Sequence, residues 1–112
     1  REPGHDWIII KLATQSLIKK IEIDTAHFKG NYPDQASIQV SNFSENTDLG
    51  EIINDSQNWK YMLKKSKLQA DNIHNYKVDD TSTEGVTHVR LNIYPDGGVS
   101  RLRVFGLRLQ NE

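Results

Sequence analysis

The sequence predicts an all-β fold, and three observations support that prediction. Apolar residues alternate with polar ones along short segments, no helical pattern of convincing length is present, and clusters of turn-forming residues separate the segments. Six or seven short strands with polar connections are typical of a β-sandwich or a small barrel. Since 112 residues is near the commonest domain size, we expect residues 1–112 to form a single module.

Six segments are predicted as strands and a seventh is weaker. The six are Trp7–Leu12, Ile18–Asp24, Ala36–Ser41, Trp59–Lys64, His88–Tyr94 and Arg101–Leu109, and the seventh is His74–Val78. The β-branched run at Trp7–Leu12 predicts a strand buried on both faces. Segment 88–94 alternates most clearly, with Val89 and Leu91 on the face opposite His88 and Arg90.

Polar connections join these segments. Residues 30–34 and 95–98 are rich in Gly, Pro, Asn and Asp, and the second cluster predicts a tight hairpin between the last two strands. The polar stretches at 41–58 and 79–87 are predicted as loops, the first with one or two helical turns at Leu49–Ser56.

Composition narrows the class of protein. Fourteen Lys and Arg balance 15 Asp and Glu, which disfavours a general nucleic-acid binder. The chain has no cysteine, which excludes a disulfide scaffold and a thiol nucleophile, and it has no apolar run of membrane-spanning length and no secretory leader. We expect a cytoplasmic protein without a membrane or nucleic-acid partner. Because the chain begins with Arg1, we also expect a processed product or a piece of a longer protein.

Two groups of residues are candidates for chemistry. Arg90 shares a predicted strand face with His88 and Asn92, and a hairpin to Arg101 would place guanidinium, imidazole and amide groups together. The alternative is a solvated outer face of the sheet. The second group is the loop Asp24–Pro33, where Asp24 and His27 can orient each other, bind a metal or act as a base. The alternative there is a structured turn.

Other signals for chemistry are weak. The four histidines show no compact metal-binding spacing, and no GxSxG, Walker or GxGxxG motif is present. A metal site would therefore need ligands from different loops.

Three sequence blocks together resemble the allantoicase family. They are GHDWIIIKL at 4–12, DTAHFKGNYP at 24–33, and THVRLNIYPDGGV at 87–99 followed by RLRVFG at 101–106. The resemblance covers nearly the whole chain. It implies a jelly-roll β-sandwich of the galactose-binding-like type and hydrolysis of allantoate to ureidoglycolate and urea in purine breakdown. It also implies two such modules in tandem, and a GWExxR-like stretch that precedes the first block in the family is not in this sequence.

Site roles follow from this resemblance and the chemistry of allantoate, a carboxylate with two ureido groups. Arg90 or Arg101 suits the carboxylate, and Asn31, Asn92 and the backbone at Asp96–Gly98 suit the ureido groups, with Tyr94 nearby. His27 or His88 suits proton transfer, oriented by Asp24. A divalent metal such as Mn²⁺ is compatible with the family, but its ligands are not identified.

We expect the module to bind a small ureide and to pack against a second module or another copy of the chain. Two alternatives remain open at this point. One is a non-catalytic galactose-binding-like module that binds a glycan or a protein, and the other is a scaffold copy within a two-module enzyme.

Overall fold

A computed structural model describes residues 4–78 and 84–109, in which six antiparallel strands form one sheet that folds over on itself. The strands are β1 (Asp6–Asp24), β2 (Gln35–Ser41), β3 (Lys60–Lys67), β4 (Ile73–Lys77), β5 (Val86–Tyr94) and β6 (Arg101–Arg108). A short helix, α1 (Leu49–Asn54), and a 3-10 turn (Ser56–Asn58) lie between β2 and β3. The predicted all-β architecture is confirmed.

Strand β1 takes part in both layers of this sandwich. Its first half pairs with β5, in the strand order β3-β2-β5-β1, whereas its second half lies between β4 and β6. The pairing with β5 is irregular between Lys11 and Ser16, as expected where a bulge lets a strand bend. The two strands predicted at 7–12 and 18–24 are therefore one bent strand.

The hydrophobic core lies between the two layers. Strand alternation directs apolar side chains from β1, β2 and β5 into it, and Ile21, Ile23, Ile38 and Val89 are fully buried. Leu102 of β6 is packed against this cluster. The face of β5 predicted to be apolar is the face that the core uses.

Two sequence predictions about the strands are wrong. Strands β5 and β6 do not form a hairpin, because the two edges of β5 are occupied by β1 and β2, and β6 crosses over to pair with β1. The segment 7–12 is not buried on both faces, since Trp7 and Ile8 are 45% and 55% exposed.

The polar stretch after β2 covers the outer face of β2 and β5. Helix α1 begins after Asp48, whose side chain accepts a hydrogen bond from the Gly50 backbone N–H at 3.1 Å. The predicted one or two helical turns are thus present. The predicted loop at 79–87 lies partly outside the described residues, and its last two residues, Val86 and Thr87, belong to β5.

Candidate functional site

Two loops that the sequence analysis singled out meet at one end of the sandwich. We name the loops 24–34 and 95–100 the loop junction. The Gly98 backbone N–H donates to the Asn31 carbonyl oxygen at 2.7 Å, and the Ser100 N–H donates to the Asp24 carbonyl oxygen at 2.7 Å. Main-chain hydrogen bonds thus fix the two loops against each other.

The interior of the loop junction is filled by side chains and backbone. A Cβ atom on Gly97 would lie 2.5 Å from the Tyr32 carbonyl carbon, and its φ of 135° already requires glycine. A Cβ on Gly98 would collide with the Phe28 ring. The glycines therefore allow close packing here, and the functional groups of the junction lie at its rim.

Asp24 and His27 have different surroundings in the first loop. The Asp24 side chain is nearly buried and its Oδ1 accepts the Ala26 backbone N–H at 2.7 Å. His27 is exposed in a left-handed backbone conformation, with φ 72°, and its backbone N–H donates to Asp71 Oδ1 at 2.7 Å. Among the described hydrogen bonds none joins the Asp24 carboxylate to the His27 imidazole. Asp24 thus stabilises the turn that presents His27.

Three further predicted residues lie at this rim. Arg101 begins β6, is exposed, and is directly opposite Asp24 in the pairing of β6 with β1. Asn31 is exposed and Asp96 is half-buried. With His27, these residues present a guanidinium and an amide, which can donate hydrogen bonds to an anion, a carboxylate, which can accept them from N–H groups, and an imidazole, which can exchange protons.

Arg90 and Asn92 lie elsewhere, in a closed network on the outer face of β5. Arg90 Nε donates to Asn92 Oδ1 at 2.9 Å, and Arg90 Nη1 donates to Ser56 Oγ at 2.6 Å. Asn92 Nδ2 donates to Gln39 Oε1 at 2.9 Å and to Ser37 Oγ at 3.2 Å. This face is not solvated, because the 3-10 turn covers it. It is not shared with Arg101, because β6 pairs with β1 and not with β5.

Arg90 is charged and buried among neutral partners. It is 4% exposed, and its guanidinium carbon lies 4.4 Å from the centre of the Trp7 ring. Burial lowers the pKa of Arg90, an effect opposed by the nearby Tyr94 and Tyr61 hydroxyls. No ion pair to Arg90 is seen within residues 4–78 and 84–109. The Arg90 guanidinium thus holds the 3-10 turn against the sheet through its hydrogen bond to Ser56.

His88 lies at the other end of this face, in aromatic surroundings. Its Nδ1 is 2.8 Å from Thr87 Oγ1, and its ring packs edge-on against Phe43 with centroids 5.4 Å apart. Burial lowers the pKa of His88, and the positive charge of Lys11 lowers it further. His88 also borders an open apolar cavity of about 460 Å³ beside β1. The fold therefore separates His88 from the loop junction.

Tyr94 connects the network to the loop junction. Its hydroxyl is 2.9 Å from Ser37 Oγ, and its backbone carbonyl accepts the Asp34 N–H at 2.9 Å. Lys65 Nζ lies 4.2 Å from the Tyr94 ring centre, and the His5 ring centre lies 5.0 Å away. The Tyr94 ring therefore contacts both the Lys65 ammonium and the His5 ring.

Several participants in these contacts were missed by the sequence analysis. The alternation of apolar and polar residues in β2 could have indicated Ser37 and Gln39. Residues that lie between the apolar Ala36, Ile38 and Val40 must face the opposite side of the sheet, which is the side that carries Arg90 and Asn92. No pattern indicated Ser56, which reaches Arg90 from a loop 34 positions away.

Within the described part of the chain, no group of three or more His, Asp or Glu side chains is arranged to hold a metal ion, so the described residues do not by themselves fit the divalent metal considered from sequence. Likewise, residues 4–78 and 84–109 contain no helix with the length and apolar character needed to cross a bilayer.

Comparison with known proteins gives consistent matches. The family model "Allantoicase repeat" matches residues 1–109. "Probable allantoicase 1" of Burkholderia mallei is 52% identical over 106 residues, which are 95% of this chain and 31% of that protein. "Probable allantoicase" of Rhizobium meliloti is 50% identical over 109 residues, which are 95% of this chain and 32% of that protein. The chain thus spans about a third of the length of these relatives.

Solved structures agree on the fold. The crystal structure of allantoicase from Saccharomyces cerevisiae matches with a TM-score of 0.73 and 36% identity, over 92% of this chain and 28% of that one. Chitosan-binding module 1 of a Paenibacillus chitosanase/glucanase matches with a TM-score of 0.62 at 18% identity, over 92% of this chain and 70% of that one. The jelly-roll β-sandwich of galactose-binding-like type is confirmed. The chain belongs to the allantoicase family.

Proposed function

We propose that this chain is one module of an allantoicase, which hydrolyses allantoate to ureidoglycolate and urea in purine breakdown in the cytoplasm. The observation that carries the proposal is an identity of 45–52% over 95% of the chain to proteins named allantoicase. Since the chain spans about a third of those relatives, a second module or another part of the longer protein completes the enzyme.

The reaction needs no oxidant or reductant. Water supplies an oxygen to the central carbon of allantoate, the bond from that carbon to one ureido nitrogen breaks, and a proton reaches the departing nitrogen. A catalyst for this step must bind the carboxylate and deliver the proton. A positioned acid contributes roughly 10²–10⁴-fold to such a step.

We assign these tasks first to the rim of the loop junction. The exposed guanidinium of Arg101 binds the carboxylate, and Asn31 and Asp96 bind a ureido group. The exposed imidazole of His27 moves the proton, while Asp24 holds the turn that carries it. We assign no direct contact with the substrate to Arg90, Asn92 and His88, because their side chains are buried in the outer face of β5.

Urea release from allantoate by the complete protein that contains this chain tests the proposal. In His27→Asn the imidazole is lost but the residue still tolerates a positive φ, so we expect kcat to fall roughly 10²-fold or more with the fold intact. We expect Arg101→Gln to raise KM. Arg108→Gln is the control, because Arg108 is an exposed arginine at the far end of the same strand. Absence of urea release from the complete protein would overturn the proposed activity.

A scaffold role for this module is the second candidate. The filled interior of the loop junction favours it, since Phe28 leaves no room for a substituent on Gly98. If the module only supports a site elsewhere, His27→Asn and Arg101→Gln keep wild-type kcat and KM, while the complete protein still releases urea. The same assay therefore separates the two candidates.

A further inference from the structure

The first half of β1 is an open edge of the sheet. From Asp6 to Lys11 this strand pairs with β5 on one side, and within the described residues no strand pairs with its other side. The second half of β1, in contrast, is flanked by both β4 and β6. An open edge exposes backbone N–H and C=O groups that can pair with another strand.

Apolar side chains are exposed on both faces of this open edge. The register places Ile8 opposite Leu91 and Ile10 opposite Val89, on the core side of the sheet, yet Ile8 and Ile10 are 55% and 36% exposed. Core-side residues that remain exposed lack the layer that should cover them. Trp7 is on the opposite face and is also exposed.

An apolar groove continues from this edge to α1. The cavity of about 460 Å³ is lined by β1 residues and by Leu49, Ile52 and Ile53 of α1, and Leu49 is 68% exposed. Its described lining includes one charged side chain, Lys11, and no carboxylate. The groove thus suits apolar side chains with an acidic residue near Lys11, rather than a small ureide with many polar groups.

We propose that the open edge of β1 and this groove bind an extended segment from the part of the protein outside residues 1–112. The segment adds a strand to β1 at Asp6–Lys11, inserts apolar side chains beside Trp7 and Leu49, and places a carboxylate near Lys11. The relatives are long enough to contain such a segment, since about two thirds of their length lies outside the part matched by this chain. This inference concerns assembly and does not depend on the reaction.

Hydrogen exchange on the complete protein tests the added strand. With β5 as the single partner, about half of the amides of Asp6–Lys11 point to solvent and exchange like those of an exposed loop. In the complete protein we expect every amide of Asp6–Lys11 to be protected, because the added strand pairs with the amides that β5 leaves free. We expect Ile8→Lys to restore rapid exchange at alternate amides, whereas Ile73→Lys, which changes a similarly exposed isoleucine on β4, leaves this protection intact. Rapid exchange at alternate amides in the unmodified protein overturns the proposal.

Photocrosslinking identifies the occupant. A photoreactive leucine at position 49 of the complete protein is activated, and the crosslinked peptides are identified by mass spectrometry. The proposal is supported by crosslinks to residues outside 1–112 within a product that keeps the mass of a single protein chain. Crosslinks only within residues 1–112, or between two copies in a species that dissociates on dilution, overturn it in favour of a free edge or of edge-to-edge dimers.

Discussion

Replacing Arg90 by methionine tests whether this residue supports the fold or contacts the substrate. The substitution keeps a long side chain but removes two hydrogen bonds from a charged donor, at 2.9 Å to Asn92 and 2.6 Å to Ser56. Each such bond contributes about 1.5–3 kcal/mol. The two together contribute about 3–6 kcal/mol, and the loss of stacking on Trp7 adds a smaller cost.

Part of that loss is offset, because burying a guanidinium without a counter-charge is itself unfavourable. We therefore expect Arg90→Met to lower the free energy of unfolding by about 2–4 kcal/mol, from the hydrogen-bond magnitudes less this offset. With a urea m-value of about 2 kcal/mol per molar, the unfolding midpoint falls by about 1–2 M.

Urea titration followed by tryptophan fluorescence measures this change, since the two tryptophans, Trp7 and Trp59, both lie on the affected face. Arg108→Met is the control, and an exposed position of this kind should shift stability by less than about 0.5 kcal/mol. If Arg90→Met also changes stability by less than about 0.5 kcal/mol, the structural role is refuted. A raised KM for allantoate at unchanged stability would instead favour a direct contact with substrate.

Three other predictions follow from the packing. Gly97→Ala should cost about 3 kcal/mol or more, because of its φ of 135° and its contact with Tyr32, whereas Gly30→Ala meets no atom within 4 Å and should be nearly neutral in thermal melts. Asp24→Ala leaves the Ala26 N–H unpaired and should cost about 1–3 kcal/mol in urea titrations, compared with less than about 1 kcal/mol for the exposed Asp34. The lowered pKa of His88 means that the unfolded chain binds a proton first as the pH falls below about 6.5. The free energy of unfolding should therefore fall as the pH drops from about 6.5 toward the folded-state pKa, by at most about 1.4 kcal/mol per pH unit. Urea titrations at a series of pH values measure this fall, and the contribution of His88 should be absent in His88→Gln.

The strands were predictable because side-chain alternation is a local property of the chain. Val89 and Leu91 face the core as their spacing in β5 indicates. Where the alternation failed, an irregularity in strand pairing explains it. Met62 and Leu63 are adjacent yet both pack against the core, and the β2–β3 register shifts opposite them.

The candidate site was less predictable because it depends on contacts between distant segments. The loops 24–34 and 95–100 do meet, but Arg90 and Arg101 are not neighbours on paired strands. The turn residues at 95–98 were consistent with a hairpin. They could not show that both edges of β5 are already used, since that depends on where β1 and β2 pair.

The sequence by itself determined the all-β class, the position of most strands, the core face of β5 and the family. These follow from a two-residue period and from motifs that can be recognised without coordinates. The tertiary structure alone decided that the polar face of β5 is buried and that β1 bends through both layers. It also decided that, among the described strands, none covers the apolar edge of β1 at Asp6–Lys11. Burial and strand pairing depend on which distant segments cover each face, and local spacing does not encode that information.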